Sequence, residues 1–192
     1  MIHVLVCFVC LAGKLPGENR LLLQVKIERR GKIIGRYLCL NDLVITKGAF
    51  SRIIGLKVSV DAEPLTDYRG DGLIVATPTG STAYNLAAGG PILHPASDCV
   101  VLAPIAPHSL AHRPLVLPAA AIIRIELEQC AEPVVLTADG QSGRPLAVGD
   151  LVTVSRQPGG LTLLKSPRRT YFRLLREKLK WGQPPELRRA GK

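Results

Sequence analysis

Aromatic side chains are scarce in this chain: Phe, Trp and Tyr make up 4% of its residues, with a single Trp. Ile, Leu, Val and Ala must therefore do most of the packing, within a hydrophobic fraction of 47% that suits a globular fold. Basic residues interleaved with stacking rings, as single-stranded nucleic acid requires, are also missing. The formal net charge is +10, but ten Lys or Arg against Glu177 and Glu186 from Lys165 onward hold +8 of it. The excess belongs to one C-terminal element, which reads as a solvated basic helix; nucleic-acid binding is not expected. A disulfide framework is lacking too, because five cysteines, at 7, 10, 39, 99 and 130, are odd in number and irregular in spacing. Cys7 and Cys10 have Cys-x-x-Cys spacing, yet no second pair or histidine cluster completes a zinc site, so all five read as reduced, mostly buried cytosolic thiols. The apolar run 2–12 is too short to span a bilayer and has no basic leader, which points to a first strand and excludes a membrane span or secretory signal there.

What the chain does contain is one continuous signature, Asp-Gly-Leu-Ile-Val-Ala-Thr-Pro-Thr-Gly-Ser-Thr-Ala-Tyr at 71–84. Leu73 to Ala76 form an apolar run bounded by Gly72 and Thr77-Pro78, the pattern of a buried strand. Pro78 and Gly80 impose a turn, and a helix is expected over 82–88, capped by Ser81 or Thr79 and closed by Gly89-Gly90-Pro91. Strand, hydroxyl-rich turn and small-residue helix make a surface where a nucleotide can approach the backbone closely, with Asp71 beside it as an acceptor for hydroxyls or an amide. Each residue alone is equally well explained by turn chemistry or packing; the specificity lies in the string.

The remainder reads as short strands separated by Gly, Pro and Asp turns. From Leu23 to Glu28 polar and apolar residues alternate, Arg30-Gly31-Lys32 makes a tight connection, and 33–38 returns antiparallel. Asn41 and Asp42 interrupt an otherwise apolar strand over 40–45, at a bulge or edge in water or against the polar edge of a ligand. Further strands are expected over 57–61 and 99–103. Four prolines between Pro104 and Pro118 hold an extended path, on which His108 reads as a hydrogen-bonded loop residue. The 121–128 strand alternates cleanly, with 134–137 pairing after the break at Pro133, a turn at Asp139-Gly140, and strands over 151–154 and 161–164. Tyr171, Leu174, Leu175 and Leu179 fall at helical spacing, with Arg173, Arg176, Lys178 and Lys180 as a basic face, before a frayed tail after Gly182. The expected fold is mainly β, a two-sheet sandwich-like domain with one short central helix and a basic C-terminal helix. Its expected organisation is an unassigned segment 1–20, a β domain 21–165, and a helix and tail 166–192.

The 71–84 string resembles the signature of the NAD kinase family, whose members phosphorylate the 2′-hydroxyl of the adenosine ribose of NAD. Similar to that family as well are Asn41-Asp42, where an Asn-Glu pair is usual, Pro-His-Ser-Leu at 107–110, Asp139-Gly140-Gln141, and the closing element that ends at Trp181. The resemblance runs from about Leu21 to Trp181. It implies NAD contacts from Asn41, Asp42, Arg69, Asp71, Thr79, Thr82, Ala83, Tyr84, Asn85, Leu86, Ala87, Ala106 and Gln141, with Arg52 where some members place a basic residue near the cofactor phosphates.

It also implies ATP or polyphosphate as donor, a divalent metal such as Mg2+ accompanying that donor, a cytoplasmic location, and a homo-oligomer, dimer or tetramer, with NAD near a subunit interface. The family's catalytic Asp lies in an earlier Gly-Gly-Asp-Gly motif of an N-terminal α/β domain; Gly70-Asp71-Gly72 follows Arg69 and belongs to the later motif. No Gly-Gly-Asp occurs in the chain, so no catalytic residue and no metal ligand is assigned within it. The expectation is an NAD-binding β domain without that first domain, through a misplaced start or with the domain supplied by another chain. The alternatives are a module that holds NAD or NADP without turnover and, more remotely, a relative of the diacylglycerol and sphingosine kinases.

Overall fold

A computed structural model describes residues 16–48, 53–130, 133–165 and 170–181. They divide into two units, one over 19–161 and a second that holds 16–18 with 162–165 and 170–181. The larger unit is two six-stranded antiparallel sheets, confirming the two-sheet β expectation. One sheet runs β3 (Lys32–Cys39), β2 (Leu23–Arg29), β13 (Leu151–Arg156), β10 (Ile123–Gln129), β5 (Ile54–Val60), β6 (Glu63–Gly70). The other runs β12 (Ser142–Leu146), β11 (Val134–Ala138), β4 (Asp42–Lys47), β7 (Gly72–Ala76), β8 (Cys99–Ile105), β9 (Leu115–Pro118). A two-stranded ribbon joins β1 (Gly17–Arg20) to β14 (Leu161–Leu164).

Period-2 alternation places one set of side chains from each sheet in a common core. Leu23, Val25, Ile27, Ile123, Ile125, Leu127, Val152 and Val154 from the first sheet join Leu43, Ile45, Leu73, Val75, Leu102 and Leu136 from the second. Each is nearly inaccessible, and each such burial contributes about 1.5–3 kcal/mol before chain entropy is counted. A second, smaller cluster covers the outer face of the second sheet, where Val44, Ile74, Ala76, Val101 and Ala103 pack with Ala88, Leu93 and Ile105. Strand β7 is thus buried on both faces, which is why its sequence is a continuous apolar run rather than an alternating one.

Three local expectations are corrected. The helix over 82–88 is instead a 3-10 turn, Gly80–Thr82, and a one-turn helix α1, Tyr84–Ala87, separated at Ala83 by a non-helical ψ of −129°. Neither Ser81 nor Thr79 caps it: the Ser81 hydroxyl donates to Pro78 O (2.7 Å) and accepts from Leu93 N (3.0 Å). Thr77 takes the capping role, its Oγ1 accepting from Gly80 N at 3.1 Å. Strand β11 does not pair with β10; it pairs with β4 and β12 in the opposite sheet, because its inward residues Val134, Leu136 and Ala138 fill that side of the core. Asp42 lies neither at a bulge nor in water but at the start of interior strand β4, buried at 5% exposure.

The described part of the smaller unit holds α2, Tyr171–Leu179, whose N-cap Thr170 accepts from Arg173 N. Arg173 pairs with Glu177 four residues on, at 2.9 Å, and Lys180 closes the helix in a left-handed conformation. The basic helix read from the sequence is therefore present. The Cys7–Cys10 pair, the 2–12 run and the tail beyond Trp181 lie outside the described residues.

Candidate functional site

Three loops at one end of the second sheet are tied together by two polar side chains. Thr77, fully buried, donates its hydroxyl to Leu40 O (2.6 Å), and its N–H donates to Asn41 O (2.8 Å). Gly80 then sits so close to Asn41 that any Cβ there would collide with the Asn41 carbonyl, which explains a glycine in the middle of the turn. From the other side, Asp139 and Gly140 adopt left-handed φ values of 50° and 66° in the three-residue hairpin connection 139–141 between β11 and β12. That turn aims the Asp139 carboxylate at the backbone of 40–42. Its Oδ2 accepts from Leu40 N (2.8 Å), and its Oδ1 from Asn41 N (2.7 Å) and Asp42 N (3.1 Å). The sequence offered Asp139-Gly140 as a hairpin turn; the signal for this further role is an Asp at the first turn position, where Asn or Gly serves as well for the turn alone.

Beside these loops, along β4 and β11, lies an open cleft of about 480 Å³ lined by Asn41, Asp42, Val44, Thr46, Ala83, Tyr84, Thr137, Asp139 and Gly140. Its lining thus combines the carboxylates of Asp42 and Asp139 with the Tyr84 residue, which is 45% exposed and whose backbone N–H donates to Asp42. Burial pushes the Asp42 carboxyl up from 3.8 to about 6; the Asp139 charge adds to this, and a hydrogen bond from the Tyr84 backbone N–H opposes it. Burial, then the charges of Asp139 and Asp42, push the Cys39 thiol up to about 12, so that thiol stays protonated. Cys99 and Cys130 are also free thiols. Chemically, the cavity offers paired acceptors for hydroxyl or amide hydrogens and a flat ring face for a base.

Of the residues singled out from the sequence, Asn41, Asp42, Ala83 and Tyr84 line this cavity. Thr82 and Leu86 are half-buried and Ala87 exposed on the same short helical segment, and exposed Gln141 follows Gly140 in the hairpin. Asn85 is completely buried, its Nδ2 donating to Ser81 O (2.9 Å) and Pro91 O (3.1 Å), so it holds the turn's shape. The Thr79 hydroxyl is buried as well. Arg52 lies outside the described residues.

Asp71 departs from expectation. It precedes β7 whereas the turn follows it, so strand rise separates the two by roughly 20 Å. Asp71 instead joins Arg69, Lys47, His108, Ile53, Ile54, Gly55 and Gln129 around a second cavity of about 450 Å³. Lys47 Nζ lies 2.9 Å from Asp71 Oδ1, Lys47 N donates to Asp71 O, and His108 N donates to Arg69 O (2.9 Å). Exposed Ala106, at a left-handed φ of 42°, belongs to the same loop as His108.

Over residues 40–166 the chain matches the family model described as the ATP-NAD kinase C-terminal domain. It is 50% identical over 173 residues to the NAD kinase of Syntrophotalea carbinolica, covering 90% of this chain and 61% of that protein. With the NAD kinase of Geobacter sulfurreducens it shares 46% over 174 residues, covering 91% and 61%. Its structure is similar to yeast NADH kinase complexed with NADH, at a TM-score of 0.87 and 30% identity, over 96% of this chain and 55% of that one. It is also similar to an NAD kinase from Archaeoglobus fulgidus in complex with ATP, at 0.74 and 26%, over 94% and 66%. The chain spans about three fifths of the length of the relatives it matches.

Proposed function

Given that this chain belongs to the family of ATP-NAD kinase C-terminal domains, we propose that it is the NAD-binding part of an enzyme that converts NAD to NADP. The observation that carries this reading is the convergence of Asn41, Asp42, Ala83 and Tyr84 on one cavity, from segments about forty residues apart in sequence. Its volume suits a nucleoside. Adenine lies against the Tyr84 ring, while Asn41 and Asp42 read its polar edge and the ribose hydroxyls.

In the reaction, the ribose 2′-oxygen bonds to the γ-phosphorus of ATP, the bond from that phosphorus to the β,γ-bridging oxygen breaks, and ADP leaves. The 2′-hydroxyl gives up its proton to a base. None of the residues described here is assigned that role. They bind and orient the acceptor, which is most of what protein groups contribute to phosphoryl transfer. ATP is the proposed donor, in line with the complex of the Archaeoglobus relative. The divalent cation proposed is the one that accompanies the donor's phosphates.

Arg69, Asp71 and Ala106 lie at the other end of β7 from the turn that Thr77 and Gly80 form. In the proposed homo-oligomer they face the nucleotide held by a neighbouring copy. No helix among the described residues is long and apolar enough to cross a membrane. NAD titration, and turnover of NAD to NADP with ATP and magnesium, test the proposal on the full-length protein. Saturable NAD binding with turnover is expected. Binding without turnover would leave the NAD or NADP module reading, and phosphorylation of a diacylglycerol or sphingosine in place of NAD would replace both.

A further inference from the structure

The nine residues 106–114 that connect β8 to β9 carry His108 to the second cavity, with Ala106 two residues before it. Two main-chain bonds fix the start of this connection, Asp71 N to Ile105 O and His108 N to Arg69 O, both 2.9 Å. Between them Ala106 is held at φ 42°, a conformation that disfavours a residue with a Cβ. Beyond His108 the chain makes a local turn, with His112 N donating to Ser109 O (3.2 Å) and Ala111 N to the Ser109 hydroxyl (3.3 Å). Nothing in that turn by itself registers the connection against β6.

A side chain supplies the register. His112 Nε2 lies 3.2 Å from Thr66 Oγ1, and its ring packs on Tyr68 with centroids 4.7 Å apart. Thr66 and Tyr68 are two residues apart on edge strand β6 and so share a face, and Tyr68 belongs to the main core. The imidazole is therefore clamped between a hydroxyl and a core ring. Its Nδ1 is buried with no hydrogen-bond partner among the described residues. An orphaned buried nitrogen is unfavourable for stability, so a histidine here is poorly explained by packing alone.

We propose that His112 is a positioning residue, which latches the 106–114 connection to β6 and so holds Ala106 and His108 beside Arg69 and Asp71. This rests on the assignment of that second cavity to NAD binding.

The test uses the full-length protein with His112→Phe, Thr66→Val, the double variant, and Asp71→Asn as reference. Phe keeps a ring on Tyr68 and removes both the Thr66 bond and the orphaned nitrogen, so the melting temperature is expected to stay within about two degrees of the parent. The His108 amide, whose bond to Arg69 depends on the latch, is expected to exchange about fivefold faster in each single variant. NAD affinity is expected to fall about fivefold in each single variant and by no more in the double, because both changes cut one contact. Unchanged His108 exchange, multiplying losses in the double variant, or an affinity loss that merely tracks a lowered melting temperature would overturn the latch. Full NAD affinity in Asp71→Asn would instead overturn the assignment of the second cavity, and with it the latch's role in binding, while the exchange result still stood on its own.

Discussion

Asp42 shows how one residue joins stability to binding. Three backbone N–H groups donate to the Asp139 carboxylate, and its charge adds to the burial that raises the neighbouring Asp42 carboxyl. Because the Asp42 carboxyl is raised in the folded protein, from 3.8 to about 6, the native state binds more protons than the unfolded state between those values. The Asp42 contribution to stability is therefore most favourable below pH 4, falls as pH rises from about 4 to about 6, and above that carries a cost of about 3 kcal/mol. Asp42→Asn keeps an acceptor for the Tyr84 N–H and removes the charge. Thermal melts at pH 8 are expected to show that variant several degrees more stable than the parent, with no gain near pH 4; equal melts at pH 8 would contradict the account. The same variant is expected to bind NAD more weakly, a site residue costing stability for function. The sequence showed Asn41-Asp42 as an interruption needing a partner, but not Asp139, which lies almost a hundred positions away. Only the pairing of β4 with β11 brings that hairpin turn over the start of β4.

Among the elements, the strands legible in the sequence were those whose residues face a core. Strands β2, β10 and β13 alternate cleanly because one face of each is buried and the other wet. Strands β1, β6 and β12 left little trace. β6 and β12 are sheet edges, β1 pairs only within the two-stranded ribbon, and such positions readily take Pro64, Pro145 and polar side chains, which blur the period-2 pattern. The 82–88 helix failed for a different reason. Its small residues fit a helix, but the Asn41 backbone pressed against Gly80 and the anchoring of Ser81 and Asn85 leave room for only one helical turn after Ala83. Gly80→Ala tests that contact. It is expected to destabilise the fold by about 1–3 kcal/mol in denaturant titrations and to weaken NAD binding, since it pushes Ala83 and Tyr84 away from Asn41. An unaltered midpoint would show that the two loops can separate without cost.

At the scale of the whole molecule, a sandwich of two six-stranded sheets carries functional loops at opposite ends of one doubly buried strand. The 71–84 string was legible as one motif because it is continuous in sequence. Its two ends were not legible as separate sites, because a string does not show that an extended strand stands between them. That separation is the reason for proposing that one copy would present Tyr84 and Asp42 and a neighbouring copy Asp71 and Arg69. The central claim remains that the first cavity receives the adenosine of NAD. Its most direct test is the NAD dissociation constant of the full-length protein and of Tyr84→Ala, measured side by side with the melting temperature. A stacked base is worth about 1–3 kcal/mol, so the variant is expected to bind about tenfold or more weakly while melting at the parent's temperature. Equal affinity in the two proteins would place the nucleotide elsewhere and contradict the account.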